Sequence, residues 1–362
     1  MENRVYNFSA GPAVLPEEVL KIAQEELFAL PGVGMSILEI SHRSKKFAEI
    51  HAAAKEDLKK LLNLSDDYQM LFLQGGASLE FYMVPLNLMP PANKADYIVT
   101  GTWSEKAVKE AKRVGAVNIA ATTKPENHNR IPKQSELKLD PEASYVHFTS
   151  NNTIFGTEFK TEPEVGKVPL VCDASSDILS RPIDVNKYGL IYAGAQKNMG
   201  PSGVTFIIVR KDLLERSTDA VPTMLNYKTH ADNDSLFNTP SVFGIYIIGL
   251  IAKWMLKNGG IEAMYKLNQE KAALLYKCID ESEGFYKGHA QKEDRSLMNV
   301  TWRLPSEELE KKLIAEATKE GFDGLKGHRS VGGLRASIYN AFPKKGVEDL
   351  VVFMNDFKAK NA

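Results

Sequence analysis

An aspartate and a lysine each stand just past a short apolar run in this 362-residue chain, the place where open α/β sheets present their chemistry. Val168-Pro169-Leu170-Val171-Cys172 ends in Asp173 and the polar Ala174-Ser175-Ser176-Asp177. Further on, Leu190-Ile191-Tyr192-Ala193 leads through Gly194-Ala195-Gln196 to Lys197, then Asn198-Met199-Gly200-Pro201-Ser202-Gly203. Lysine loses its proton readily when desolvated beside another cation and then becomes a nucleophilic amine, which arginine does not. A carboxylate on a neighbouring strand can hold a proton on a ring nitrogen. Together these match what pyridoxal phosphate requires: an amine for the Schiff base, and an anion on the pyridine nitrogen that keeps the ring an electron sink. An arbitrary Asp and Lys would be a helix cap and a solvated charge. The Gly and Pro residues around Lys197 set a special backbone path instead of a helix face, which weakens that bland account.

A phosphate also needs a seat. Gln74-Gly75-Gly76-Ala77-Ser78 follows the run Met70–Leu73 and opens a helical stretch from Leu79. Free backbone N–H groups at a helix start bind phosphate without a charged side chain. On its own, Gly-Gly-Ala-Ser serves equally as a tight turn. The chain has no GxGxxG fingerprint and no GxxxxGK[ST] loop, which counts against dinucleotides and nucleoside triphosphates.

Elements must position these groups. Helical spacing joins Phe47, Ile50, Ala54, Leu58 and Leu61, and again Ala107, Val108, Ala111 and Val114 behind a Ser104 cap. β-rich runs alternate with them at Met70–Leu73, Tyr97–Thr100, Tyr145–Thr149, Val168–Cys172, Leu190–Ala193 and Val204–Val209. Runs apolar on both faces predict strands covered by helices on each side, an α/β fold with a mostly parallel sheet. Val242–Leu256 reads as a buried helix, since Lys253 and Trp254 break it and it falls short of the roughly 20 residues that span a bilayer. After Lys257-Asn258-Gly259-Gly260 a long helix from Ile261 to about Glu281 opens a second, smaller α+β unit, with a strand at Asn299–Trp302 and helices at Ser306–Lys319 and Val347–Phe357.

Composition narrows the function further. A formal net charge of -1 argues against holding a nucleic-acid backbone by bulk charge. Cys172 and Cys278 are too few for a disulfide framework and lack the clustered His/Cys spacing of a zinc site, so no metal is expected and a reduced cytosol fits. Met1 to Ala10 shows neither a signal peptide nor a transit peptide. A cytoplasmic protein without membrane or nucleic-acid partners is the expectation.

The motifs resemble one family, the phosphoserine aminotransferases, within the class V group of fold-type I pyridoxal-phosphate enzymes. The resemblance runs from Asn7-Phe8-Ser9-Ala10-Gly11-Pro12-Ala13 through Ser41-His42-Arg43-Ser44, Gly75-Gly76-Ala77-Ser78 and Asp173-Ala174-Ser175-Ser176-Asp177. It continues through Gln196-Lys197-Asn198 and Asn238-Thr239-Pro240-Ser241 to Gly327-His328-Arg329-Ser330-Val331-Gly332-Gly333-Leu334-Arg335-Ala336-Ser337. It implies a large cofactor domain over residues 15–257, a small domain over 258–362 joined by residues 1–14, and a homodimer with its active sites at the interface. It also implies Lys197 as the Schiff-base lysine, Asp173 as the pyridinium partner, Trp103 as the residue stacked on the ring and Thr153 as donor to the phenolic oxygen. Ala77, Ser78 and Gln196 would bind the phosphate, joined by Asn238 and Thr239 from the other subunit. Some relatives carry arginine where this chain has Ser78, so its phosphate cup would lean more on neutral donors.

Phosphoserine carries a carboxylate and a phosphate, and 2-oxoglutarate two carboxylates. One site must then accept both through strong anion donors, a task for the planar, always charged guanidinium. By the resemblance Arg335 would hold the α-carboxylate and Arg43 the distal anion, with His42, His328 and Arg329 near the phosphate across the interface. The implied reaction is ping-pong transfer of an amino group between phosphoserine and 2-oxoglutarate in serine biosynthesis, with 4-phosphohydroxy-L-threonine of pyridoxine biosynthesis as a further substrate. A cysteine desulfurase of the same fold would need a reactive cysteine on a mobile loop. An aminotransferase for alanine, serine or glyoxylate would have less use for a phosphate-sized basic cluster, and a non-catalytic binding protein would have no use for both Lys197 and Asp173.

Overall fold

The computed structural model describes residues 4–90 and 92–362, so the first three residues of the segment expected to join the small domain lie outside it. Seven strands form the central sheet: β1 (Tyr68–Leu73), β2 (Lys94–Val99), β3 (Ala116–Thr122), β4 (Val146–Thr149), β5 (Leu170–Asp173), β6 (Leu190–Gly194) and β7 (Thr205–Arg210). Their order across the sheet is β1-β7-β6-β5-β4-β2-β3. Every pairing is parallel except those of β7 with β1 and β6. The mostly parallel α/β architecture is therefore present, with one reversed strand. The reversal has a simple cause: residues 195–204, between β6 and β7, are too few for the crossover of about a dozen or more residues that a parallel connection needs.

Helices cover both faces, as strands buried on both sides require. On one face lie α2 (Lys45–Leu62) and α5 (Val242–Lys257), where Phe47, Leu58, Ile245 and Ile248 pack against Phe72, Ile191 and Phe206. α1 (Glu17–Phe28) adds Val19 and Ala23 to this core. On the other face α3 (Gly76–Leu88) and α4 (Thr102–Ala111) bring Phe81, Val84 and Ala107 onto Leu71, Tyr97 and Tyr192. α2 forms where the spacing predicts it, because Phe47, Ala54 and Leu58 fall on one buried stripe. The Ser44 hydroxyl accepts from Phe47 N–H at its start, and left-handed Asn63 closes its end.

Two expectations differ from the structure. Ser104 does not precede α4 but lies inside its first turn, where its hydroxyl accepts from Thr100 N–H (3.0 Å) and Gly101 N–H (3.1 Å). β3 was not anticipated. It is an edge strand with mostly exposed or half-buried residues, so it lacks the apolar signature that revealed its neighbours.

The chain then builds a second core. α6 (Gly260–Asp280), α7 (Glu307–Lys319) and α8 (Lys344–Asn361) pack beside an antiparallel sheet of β8 (Lys287–Gly288), β9 (Asn299–Arg303) and β10 (Leu334–Ser337). Leu275, Trp302, Leu313, Leu350 and Phe357 meet there, together with Phe8 from the other end of the chain. Phe8 arrives because Tyr6–Asn7 pairs in parallel with Phe322–Asp323. The start of α6, at Ile261 and Met264, packs into the first core and so ties the two together. Among the described residues no single helix is long and apolar enough to cross a membrane, and α5 and α6 meet at 82°.

Candidate active site

Asp173 closes β5, in register between Thr149 on β4 and Tyr192 on β6, and is only 4% exposed. Its Oδ1 accepts the Ser175 N–H at 3.0 Å, a bond formed as the chain turns off the strand. Burial raises the carboxyl pKa, opposed by the bonds from Ser175 and by the charge of Lys197. In the sequence Ser175 is one residue of a polar run. Nothing in that run revealed which backbone amide would turn back on the carboxylate.

Lys197 leaves the neighbouring strand β6 and reaches the same end of the sheet. Its Nζ donates to Thr153 Oγ1 at 2.9 Å and stands 5.6 Å from the centroid of the Trp103 ring. Burial pushes its pKa down to about 8 against the opposing pull of Asp173, while Arg335 lowers it further. A neutral, nucleophilic amine is thus accessible near neutral pH, and the acid and the amine are close enough to feel each other's charge.

Thr153 links this pair to the second unit. Its hydroxyl takes the Lys197 bond and its carbonyl accepts from Arg335 Nη1 at 3.3 Å. Arg335, on β10, is half-buried, and among the described residues its buried Nε has no partner. Trp103, in the first turn of α4, likewise keeps a buried Nε1 without a partner among the described residues. Polar donors stranded in this way mark a space that a ligand would complete.

The glycine turn behaves as a phosphate seat would. Gly75 and Gly76 adopt φ of +99° and +66°, and no side chain caps the start of α3. A methyl at Gly75 would stand 2.5 Å from Leu79 Cδ2. Ala77 is half-buried and Ser78 exposed on this first turn. Gln74 donates to the Thr239 carbonyl at 3.1 Å, which brings Asn238 and Thr239 beside the same turn within one chain. Gln196 lies half-buried just before Lys197.

Arg335 and His328 also line a cleft of about 410 Å³, bounded by Phe155 and by Lys287, His289 and Arg303. β8 and β9 bring Lys287 and Arg303 onto the same sheet as Arg335, with His289 just past β8. Lys197 and Asp173 do not line this cleft, so it adjoins their site through Arg335. His328 Nδ1 bonds Ser330 Oγ at 2.7 Å, and burial and the nearby arginines hold its pKa down. Arg43 and Arg329 are exposed, and His42 is buried with Nε2 unpartnered among the described residues. Among the described residues, no hydrogen bond or ion pair within the chain joins these three to Lys197, Asp173 or Arg335.

Residues 5–350 match the family described as Aminotransferase class-V. The chain belongs to the class V aminotransferases. This class V aminotransferase is 56% identical over 361 residues to the phosphoserine aminotransferase of Lysinibacillus sphaericus, covering 100% of each chain. It superposes on the phosphoserine aminotransferase of Bacillus circulans subsp. alkalophilus with a TM-score of 0.98, at 51% identity and full coverage of both chains. The pyridoxal-phosphate-bound phosphoserine aminotransferase of Trichomonas vaginalis gives a TM-score of 0.94 at 40% identity, covering 97% of this chain and 100% of that one. The cysteines set aside a desulfurase reading: both are buried, and burial raises both thiols, Cys278 to about 11.

Proposed function

We propose that this chain is a pyridoxal-phosphate-dependent phosphoserine aminotransferase, which moves an amino group reversibly between phosphoserine and 2-oxoglutarate. The observation that carries the reading is the meeting of Asp173 and Lys197 from adjacent strands, with Thr153 and Arg335 bonded into the same cluster. Pyridoxal 5′-phosphate, when bound, supplies an electron sink for negative charge at the substrate's α-carbon.

Each residue then has a role. Lys197 is the amine that holds the cofactor and, once displaced, moves a proton at the substrate's α-carbon through Nζ. Asp173 keeps the ring nitrogen protonated, and the Ser175 N–H keeps that carboxylate oriented. Trp103 is the stacking partner and Thr153 the donor to the phenolic oxygen. Ala77, Ser78 and Gln196 hold the phosphate; the family resemblance adds Asn238 and Thr239 from a partner subunit across a homodimer interface, while within one chain Gln74 also holds Thr239 beside this turn. Arg335 takes the α-carboxylate by its planar fork. Arg43 takes the distal anion, with His42, His328 and Arg329 near it across that interface; His328 also shares the cleft with Arg335 within one chain.

We assign a large domain to 15–257 and a small one to 258–362 with residues 1–14; separate hydrophobic cores support this division, with Ile261 and Met264 packing across the boundary. We place the enzyme in the cytoplasm and in serine biosynthesis, with 4-phosphohydroxy-L-threonine as a further substrate. The decisive assay is glutamate formation from 2-oxoglutarate with phosphoserine and with serine as alternative donors. A strong preference for phosphoserine supports the assignment, and equal turnover of serine would replace it with a general small-molecule aminotransferase.

A further inference from the structure

The segment ahead of α1 crosses the site as a strap fixed at both ends. Tyr6 and Phe8 donate their N–H groups to Gly321 O and Asp323 O, each at 2.8 Å. Phe8 O accepts from Ser337 N–H at 3.1 Å, and Ala10 O accepts from the Tyr339 hydroxyl at 2.8 Å. The next anchor lies in the other unit, where Ala13 N–H donates to Gln196 O at 2.9 Å, one residue before Lys197. Gly11 sits between the anchors with φ +152° and lies directly against the lysine. A methyl there would stand 3.2 Å from Lys197 Cγ and 3.6 Å from Gln196 Cγ.

Lys197 is therefore held at its tip by Thr153 and bounded along its stem by a residue without a side chain. A group that relays a proton must reach two positions in turn, so the arc of its stem matters as much as its resting place. A flexible four-carbon stem does not define that arc unaided. We propose that Gly11 is a positioning residue for Lys197: the bare backbone of the strap sets how far the lysine stem swings while Nζ moves the proton at the substrate's α-carbon. The strap also runs to Tyr339, four residues beyond Arg335, so the substrate-holding strand and the lysine are joined through it. The inference rests on the assignment of Lys197 made above.

The test compares holoenzymes of the wild type, Gly11→Ala and Tyr339→Phe. Tyr339→Phe releases the strap at Ala10, together with the bond from Asn299 Nδ2 to the same hydroxyl, without adding an atom. In Gly11→Ala we expect kcat to fall on the order of tenfold to a hundredfold, with KM changed by less than about threefold, since a small misplacement of a reacting group acts on the chemical step. The primary isotope effect with α-deuterated phosphoserine should exceed that of the wild type in both variants. The pH midpoint of the bound cofactor's visible band should move as well. Wild-type isotope effect and midpoint in both variants would overturn the proposal, even if stability or kcat fell, because the strap would then be only structural. Should Gly11→Ala fail to fold, Tyr339→Phe decides by the same two readouts. A wild type that forms no visible band with pyridoxal phosphate would instead overturn the assignment of Lys197, and this inference with it.

Discussion

Replacing Asp173 by asparagine separates the site's chemistry from its architecture, because the two should move in opposite directions. Asparagine keeps the shape of the side chain and can still accept the Ser175 N–H, which now reaches Oδ1 at 3.0 Å. What it loses is a buried negative charge. A preorganised electrostatic partner of this kind is worth roughly 3 to 4 kcal/mol, so kcat should fall on the order of 10² to 10³. Stability of the apoprotein should not fall with it. Burial raises the Asp173 pKa above its ordinary 3.8, so the folded protein binds this proton more tightly than the unfolded chain does. The group's contribution is then favourable at acid pH and is lost as pH rises through the raised value, above which the ionised buried carboxylate is a cost. Asparagine does not carry that cost. Single-turnover kinetics on the holoenzyme and thermal melting of the apoprotein near neutral pH measure the two effects. A variant within about threefold of wild-type kcat would refute the role given to the charge. A markedly lower apoprotein melting temperature would show Asp173 to be a structural anchor.

The rate at which apoprotein captures pyridoxal phosphate should rise with pH and level off above about 8, the value to which burial lowers Lys197; a rate still climbing near pH 10, where ordinary lysines titrate, would contradict the buried amine. Arg335→Lys replaces a fork by a point charge and should raise KM for both substrates by about 10- to 100-fold, the worth of one lost charge-assisted bond at roughly 1.5 to 3 kcal/mol, with melting unchanged. Glu80, buried in α3 and bonded by the Tyr227 hydroxyl, has its pKa pushed up to about 8. Its stabilising proton is lost as pH rises from about 4.5 to about 8, so wild-type melting temperature should drop across that window and Glu80→Gln should flatten the drop.

Much of this architecture was legible because burial writes itself into composition. β6 is apolar on both faces, and β4 and β5 are mostly apolar and buried throughout, which only a sheet covered on both sides explains. The direction of β7 left no mark in its own residues, since a strand buried on both faces reads alike either way; the short link from Gly194 to Thr205 was the available signal. β3 was silent because an exposed edge needs no apolar stripe. Asp173 and Lys197 were legible because one ends a strand and the other lies just past one, where open sheets place ligands. Their partners were harder. Ser175 acts through its backbone, Gly11 through the absence of a side chain, and Thr153 by bridging groups 44 and 182 residues away in sequence. None of these leaves a signature in residue type alone. The basic residues around the 410 Å³ cleft come together only when β8 and β9 pair, so spacing along the chain does not announce them.

The most direct measurement is to reduce the holoenzyme with borohydride, digest it and map by mass spectrometry the peptide that carries the fixed cofactor. One modified residue is expected, Lys197, with no fixed cofactor and no visible band in Lys197→Ala. A cofactor fixed to a different lysine, or a Lys197→Ala variant that keeps both band and turnover, would contradict it.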